Sequence, residues 1–282
     1  MKTILADCSG FCGGVKKTIQ TIEALLADAE GPVSCIGLPV HNSQVTGRLV
    51  DAGLRVVDTL EEVDEGILVI RAHGLPPRMI EEAKEKGLTV INSTCGFVMH
   101  AQKIAHSLCA DGYSVIIAGE KDHAEVKSIV GYVDDTAHVV SSPEELESLK
   151  NVFSLNARIG ILQQTTFLEK ETQLIIKGIL EHRYAELKVC NTVCKSIEKR
   201  MTAARDIAQH VDCMLIVGGK MSSNTKRLYE TCCAVNVNSH HIETETEFQA
   251  AWFKDAGVVG VTAGASTSDW LIDNVINAVD VL

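Results

Sequence analysis

Three times along this chain an apolar, strand-like run ends in a polar turn that carries a cysteine, and a helix-like run follows. The segments are ILADCSGFCGGVKKTIQTI (4–22), TVINSTCGFVMHAQKIAHSL (89–108) and LKVCNTVCKSIEKRMTAARDI (187–207), with Cys12, Cys95 and Cys194 at the turns. Each is followed by a second strand, turn and helix: SCIGLPVHNSQVTGRLV (34–50), SVIIAGEKDHAEVKSIV (114–130) and CMLIVGGKMSSNTKRLY (213–229). Their turns present His41, His123 and Ser222, which lie 29, 28 and 28 residues after the cysteines. A third round, GILVIRAHGLPPRMIEEA (66–83), ARIGILQQTTFLEKETQLI (157–175) and GVVGVTAGASTSDWLIDNVI (257–276), presents His73, Thr165 and Ser266 after 32, 42 and 44 further residues. Spacing conserved to one residue marks an internal repeat.

The repeat restricts the fold class. Runs such as VIIAG, GILVI and VVGVTA are apolar on both faces, as in parallel strands covered by helices on either side. Strands alternating with helices make an α/β protein. We expect three similar small α/β units with mainly parallel sheets, residues 1–94, 95–190 and 191–282, arranged pseudo-threefold around a central cluster. In such sheets ligands sit beyond the carboxyl ends of the strands, which is where all nine turns fall. The polar stretch near residues 134–156 reads as a strand plus a surface helix, started at Ser141–Glu145 by a Ser cap and an early Pro.

The chain has 282 residues and ten cysteines. The N-terminus carries one Lys and no long apolar run, and no segment approaches the ~18 apolar residues of a membrane span. A cytoplasmic location is therefore expected, where thiols bind metal or catalyse more often than they pair. Cys35, Cys109, Cys213, Cys232 and Cys233 lie in or beside apolar segments and read as packing residues. The formal charge of −11 disfavours nucleic acid and anionic membranes as partners.

Three thiolates, one per repeat, suit one metal centre. Cys8/Cys12 and Cys190/Cys194 have C-x₃-C spacing, so a four-cysteine zinc site is one reading, but it ignores Cys95 and the repeat. An iron–sulfur cluster on Cys12, Cys95 and Cys194 uses all three, and helix N-termini favour their thiolates. Ser222, Ser223 and Asn224, opening a helix, and Ser266 form an anion site of hydroxyl, amide and backbone donors. His41, His73 and His123 add charge-assisted donors at equivalent turns. Glu125, two residues past His123, is placed to deliver a proton. The other histidines, His100, His106, His138, His182, His210, His240 and His241, lack this register and read as surface or packing residues.

Taken together, GFCGGV (10–15), HN (41–42), AHG (72–74), TC (94–95), HAE (123–125), QTT (164–166), NTVC (191–194), SSNT (222–225) and TAGAST (262–267) resemble the 4-hydroxy-3-methylbut-2-enyl diphosphate reductase family over essentially the whole chain. The resemblance implies an oxidoreductase of non-mevalonate isoprenoid biosynthesis. Such an enzyme removes the allylic hydroxyl of its substrate with two electrons and two protons, giving isopentenyl and dimethylallyl diphosphates. It implies one [4Fe–4S] cluster on Cys12, Cys95 and Cys194, with one open iron. It implies a diphosphate held by His41, His73, His123, Thr165, Ser222, Ser223, Asn224 and Ser266, proton transfer by Glu125 with Thr165 and His123, and electrons from a ferredoxin or flavodoxin. Gly96, Ala124, Ile197, Met201, Met221 and Ser268 depart from the family's usual residues. A paralogue reducing another hydroxylated substrate, or a non-enzymatic iron–sulfur redox protein, are the alternative readings.

Overall fold

A computed structural model describes all 282 residues. β1 (Lys2–Leu5) leads into α1 (Gly13–Asp28). β2 (Val33–Ile36), α2 (Ser43–Asp51), β3 (Arg55–Val57), β4 (Ile67–Ile70), α3 (Pro77–Glu85) and β5 (Thr89–Asn92) follow. The middle of the chain forms α4 (Gly96–Ala110), β6 (Ser114–Ala118), α5 (Ala124–Val130), β7 (His138–Val140), β8 (Arg158–Gln163), α6 (Glu169–Ile179) and β9 (Glu186–Val189). The last part forms α7 (Lys195–Ala208), β10 (Cys213–Val217), α8 (Ser223–Cys233), β11 (Ser239–Ile242), β12 (Val258–Ala263) and α9 (Asp269–Asp280). No helix is long and apolar enough to cross a membrane.

The chain divides into two compact units, one of residues 1–29, 38–56 and 195–282, the other of residues 30–37 and 57–194. The first holds the sheet β1-β12-β10-β11, all parallel. Its central strands β10 and β12 are almost wholly apolar and buried because both faces are covered, whereas the edge strands β1 and β11 carry Lys2, Thr3, Ser239, His240 and His241. Cys213, Leu215 and Val217 of β10 face α9 with Ile272, Val275 and Val279, while Met214 and Ile216 face Ala204, Ala208 and Leu228 of α7 and α8.

The second unit holds two sheets. In β7-β6-β8-β9 all ladders are parallel. Val115 and Ile117 pack with Ala101, Ala105 and Ile129 of α4 and α5, and Ile116 and Ala118 pack with Ile175 and Ile179 of α6. In β3-β2-β4-β5, with β2, β4 and β5 parallel, Leu68 and Ile70 pack against Ala83. The boundary between the units falls within β3.

The three sheets therefore repeat one small α/β design, as the sequence pattern implies. Each carries four strands in one order: the short linking strand, the second strand of a repeat, its third strand, and the strand leading to a cysteine. That last strand is the one whose turn and helix open the next strand–cysteine–helix run. β5, leading to Cys95, closes the sheet of the first repeat; β9, leading to Cys194, closes that of the second; and β1, leading to Cys12, pairs with β12 of the third. The region after residue 134 gives β7 and then a 3-10 run, Pro143–Val152, rather than an α-helix. There Ser141 donates both its N–H and its hydroxyl to Glu145.

Candidate active site

All nine polar turns join the carboxyl end of a strand to a following helix. One backbone contact recurs in each sheet. The N–H of Cys12 donates to the carbonyl of Ala265 (3.1 Å), that of Cys95 to Ala72 (2.9 Å) and that of Cys194 to Thr165 (2.9 Å). Ala265 and Ala72 are each followed by a candidate diphosphate ligand, Ser266 and His73, and Thr165 is itself a candidate. Each cysteine is thus pinned beside the third turn of the preceding repeat. Cys12 and Cys95 occupy the N-cap positions of α1 and α4 without capping through the thiol, and Cys194 immediately precedes α7. None of the ten cysteines is in a disulfide.

The second unit carries the candidate proton donor. Glu125 is only 1% exposed. Thr165 donates its N–H to Glu125 Oε1 (2.6 Å) and its hydroxyl to Oε2 (2.8 Å). Burial pushes the Glu125 pKa up to about 7, and the two bonds from Thr165 only partly offset that rise. Thr165 therefore grips the carboxyl with its N–H and hydroxyl while its carbonyl holds the turn of Cys194. His123 caps α5, its Nδ1 accepting from Glu125 N–H (3.2 Å). A ring nitrogen that accepts carries no proton, so the proton of a neutral His123 is on Nε2. The rings of His73 and His123 meet edge to face at 5.4 Å, with ring nitrogens within 4.8 Å of one another. The close-set donors in this unit are thus imidazole nitrogens, able to grip an anion or a cation. Behind them Gly74 sits at φ +77°, and a Cβ there would lie 2.5 Å from Gln102 Nε2 and 2.7 Å from Ser128 Oγ, two groups bonded to each other.

The first unit carries the candidate anion donors. Ser222 caps α8, accepting from Thr225 N–H (3.3 Å), so its hydroxyl oxygen serves the helix as well as any ligand. Asn224 is 6% exposed, yet neither its Oδ1 nor its Nδ2 has a partner. A buried amide left unbonded costs about 1–3 kcal/mol, and a bound anion would remove part of that cost. Ser266 donates to the carbonyl of His41 (3.4 Å), and Asn42 caps α2 by accepting from Val45 N–H (3.1 Å).

The turn before Ser222 also approaches His41 closely. A Cβ on Gly219 would stand 2.2 Å from the His41 carbonyl oxygen. Gly219→Ala is expected to displace the His41–Asn42 turn and lower stability by about 1–3 kcal/mol, read as a fall in melting temperature.

Some contributors are not obvious from the repeat. Gln164 accepts from Glu120 N–H (2.9 Å) and donates to Thr166 (2.8 Å), tying two turns of the second repeat. Arg200, only 2% exposed, donates to the carbonyl of Ala263 (2.8 Å) at the end of β12. The signal for Arg200 was present: Ile197, Arg200, Ala204 and Ala208 share the buried face of α7, and a cation on an apolar face needs a local partner. Among the residues read as packing, Cys35, Cys213 and Cys232 are fully buried, whereas Cys109 and Cys233 are half-buried. His182 stacks on Phe153 and His240 on Trp252.

A model of the LytB protein family matches residues 3–280. The chain belongs to the LytB family. It is 40% identical over 280 residues to the 4-hydroxy-3-methylbut-2-enyl diphosphate reductase of Geobacter sulfurreducens, covering 99% of this chain and 97% of that one. It is also 40% identical over 280 residues to the reductase of Pelobacter propionicus, covering 99% and 98%. Among solved structures it resembles (E)-4-hydroxy-3-methyl-but-2-enyl diphosphate reductase, described as the terminal enzyme of the non-mevalonate pathway (TM-score 0.77, 36% identity, 100% of both chains). It also resembles the E-1-hydroxy-2-methyl-but-2-enyl-4-diphosphate reductase of Plasmodium falciparum (TM-score 0.89, 27% identity, 98% of this chain and 87% of that one).

Against LytB family members the departures fall in different surroundings. Met221 is 78% exposed, and its side chain replaces nothing buried. Ile197 is buried on α7, and Ser268, also buried, leaves its hydroxyl without a partner. Identity of 40% over the full length makes this chain an ordinary member of the LytB family rather than an outlier.

Proposed function

We propose that this chain is an iron–sulfur-dependent oxidoreductase that reduces 4-hydroxy-3-methylbut-2-enyl diphosphate to isopentenyl and dimethylallyl diphosphates. The observation that carries the reading is Thr165, which holds a buried, protonatable Glu125 by two hydrogen bonds and a cysteine turn by a third. Reductive loss of a hydroxyl as water needs a proton for the leaving group close to the source of electrons, and this arrangement supplies one.

The donor set fits a cluster. Three cysteines at equivalent turns, one from each of the repeats 1–94, 95–190 and 191–282, carry the same backbone bond. Cys12, Cys95 and Cys194 would hold a [4Fe–4S] cluster, and three ligands leave one iron without a protein ligand. When bound, the cluster supplies the electrons and a Lewis-acid position for the substrate oxygen. Cys190 packs against the apolar cluster under α4, and burial raises its pKa, which disfavours the thiolate that a zinc site would require. The histidine nitrogens are close-set like ligands of one ion, whereas cysteines on separate irons of a cluster need not be, so the two donor sets serve different groups.

His41, His73, His123, Ser222, Ser223, Asn224 and Ser266 grip the diphosphate. Asn224 offers two unbonded polar atoms, and His123 offers Nε2–H. Glu125 keeps its proton to about pH 7, and the Thr165 hydroxyl passes it toward the substrate oxygen. A small redox protein, such as a ferredoxin or flavodoxin, delivers the two electrons singly.

Anaerobically purified protein is expected to oxidise reduced methyl viologen only when the hydroxymethylbutenyl diphosphate is added; a brown protein without turnover would point to another substrate. Asn224→Ala supplies a second test. It is expected to raise KM about tenfold or more, the worth of one or two charge-assisted hydrogen bonds, without lowering the melting temperature of the ligand-free protein, because the amide has no partner to lose there.

A further inference from the structure

α4 begins immediately after Cys95, and its solvent face is unlike the rest of the chain's surface. Phe97 and Met99, large apolar side chains in its first turn, are 42% and 36% exposed. Gly96, His100, Lys103 and His106 are also exposed. The helix contains no Asp or Glu in 15 residues, although the chain has 37 acidic residues and a net charge of −11. The missing acids are a cost at a helix N-terminus, where carboxylates stabilise. The other two cysteines lack the apolar part of such a face: α1 exposes Lys16 and Lys17 after Cys12 with no acid before Glu23, and α7 alternates Lys195 and Lys199 with Glu198, but neither helix exposes a large apolar side chain.

We infer that the exposed face of α4, Phe97, Met99, His100 and Lys103, is the docking surface for a small acidic one-electron carrier protein. The inference rests on the reading of Cys95 as a cluster ligand. Three arguments select that occupant. The face carries Lys103 and no acid on an acidic chain, so it complements a carrier bearing carboxylates. An isologous dimer through α4 would set Lys103 beside like charge with no carboxylate to pair. The area is small: from Cys95 to Lys103 is about 12 Å along the helix axis at 1.5 Å per residue, and transient redox encounters are among the smallest specific interfaces. Finally, Gly96, like Gly13 beside Cys12, has no heavy atom within 4 Å of the position a Cβ would take, so a partner can approach the backbone beside the ligand cysteine.

The test compares two electron donors on the cluster-loaded enzyme with the hydroxymethylbutenyl diphosphate as substrate. Reduced methyl viologen needs no docking surface. A photoreduced plant-type [2Fe–2S] ferredoxin, an acidic carrier, serves as the protein donor. Phe97→Ser and Lys103→Glu are expected to raise the KM for ferredoxin about tenfold, the effect of losing a central interface contact. Viologen-driven turnover should stay unchanged, which also shows that the variants fold. Lys103→Glu should flatten the salt dependence of the ferredoxin reaction. Equal loss with both donors, an unchanged ferredoxin KM, or a wild type that viologen drives but ferredoxin does not would each overturn the docking assignment. A wild-type dimer that Phe97→Ser separates into monomers would overturn it in favour of a second copy. Failure of viologen itself to support wild-type turnover would instead refute the enzymatic reading beneath it.

Discussion

Serine at position 12, 95 or 194 is expected to yield a folded protein that holds little iron and turns over at least ~100-fold more slowly, whereas Cys8→Ser and Cys190→Ser keep both iron and turnover. Partners that merely orient metal ligands are worth about 10–100-fold, so loss of a ligand sets a larger effect. The fold survives because the bonds pinning the three turns run from the backbone N–H groups of Cys12, Cys95 and Cys194, and serine retains them. Cys8 is exposed and Cys190 lies against the apolar cluster of α4. Cys190→Ser therefore costs some stability, of order 1–3 kcal/mol for a hydroxyl moved into apolar surroundings, without touching the iron. Iron content and visible absorbance of anaerobically reconstituted protein read the result. Bleaching of Cys8→Ser as complete as that of Cys12→Ser would show the ligand set to be wrong.

The position of the three cysteines at strand-to-helix turns was legible, because a spacing of 28 or 29 residues to the next turn leaves little room for drift. The parallel sheets were legible from runs apolar on both faces, such as Cys213–Val217, every residue of which is buried. The assignment of β1 to the last sheet was not. Pairing of β1 with β12 joins residues some 250 positions apart, and nothing local in KTIL specifies which edge it completes. Alternation of apolar residues fixes a strand's faces but not its neighbour. The run after Ser142 shows a second limit. It opens with Pro143 and two early acids, but Ser142 makes no side-chain cap bond, and the run winds as 3-10 with Leu146 and Leu149 packed with Val140 of β7.

The site was legible as residue types and turn positions, and illegible as contacts. Glu125 could be read as a first-turn acid of α5 placed to deliver a proton, but not as a buried one. Its complete burial and its two bonds from Thr165, 40 residues away, follow from the neighbouring position of β6 and β8 in one sheet. The unpartnered amide of Asn224 is likewise invisible in SSNT, where each residue passes for an ordinary cap.

Glu125→Gln is the change expected to separate chemistry from binding most cleanly. Gln retains shape and hydrogen bonding: its carbonyl accepts from Thr165 N–H, and its amide donates to the Thr165 hydroxyl, which turns from donor to acceptor. Iron content and diphosphate affinity should therefore persist, while turnover falls about 10²–10⁴-fold, the usual worth of a positioned proton donor. Stability should change with pH in a defined way. In the unfolded chain the Glu125 carboxyl releases its proton near its ordinary value of 4.5, but in the folded protein it keeps the proton to about 7. Between those values the folded state binds more protons than the unfolded state, so this group's contribution is fully present below pH 4.5 and declines as pH rises to about 7. Glu125→Gln removes that decline, so the stability of wild type relative to the variant should fall across the window and level off above it. The wild-type kcat should also decline above pH 7 as the proton is lost. Denaturant titrations of both proteins at several pH values, with kcat measured alongside, decide the matter. A variant that turns over normally would take Glu125 out of the chemistry, and a wild type whose relative stability does not decline from pH 4.5 to 7 would show that the carboxyl is ionised within the fold.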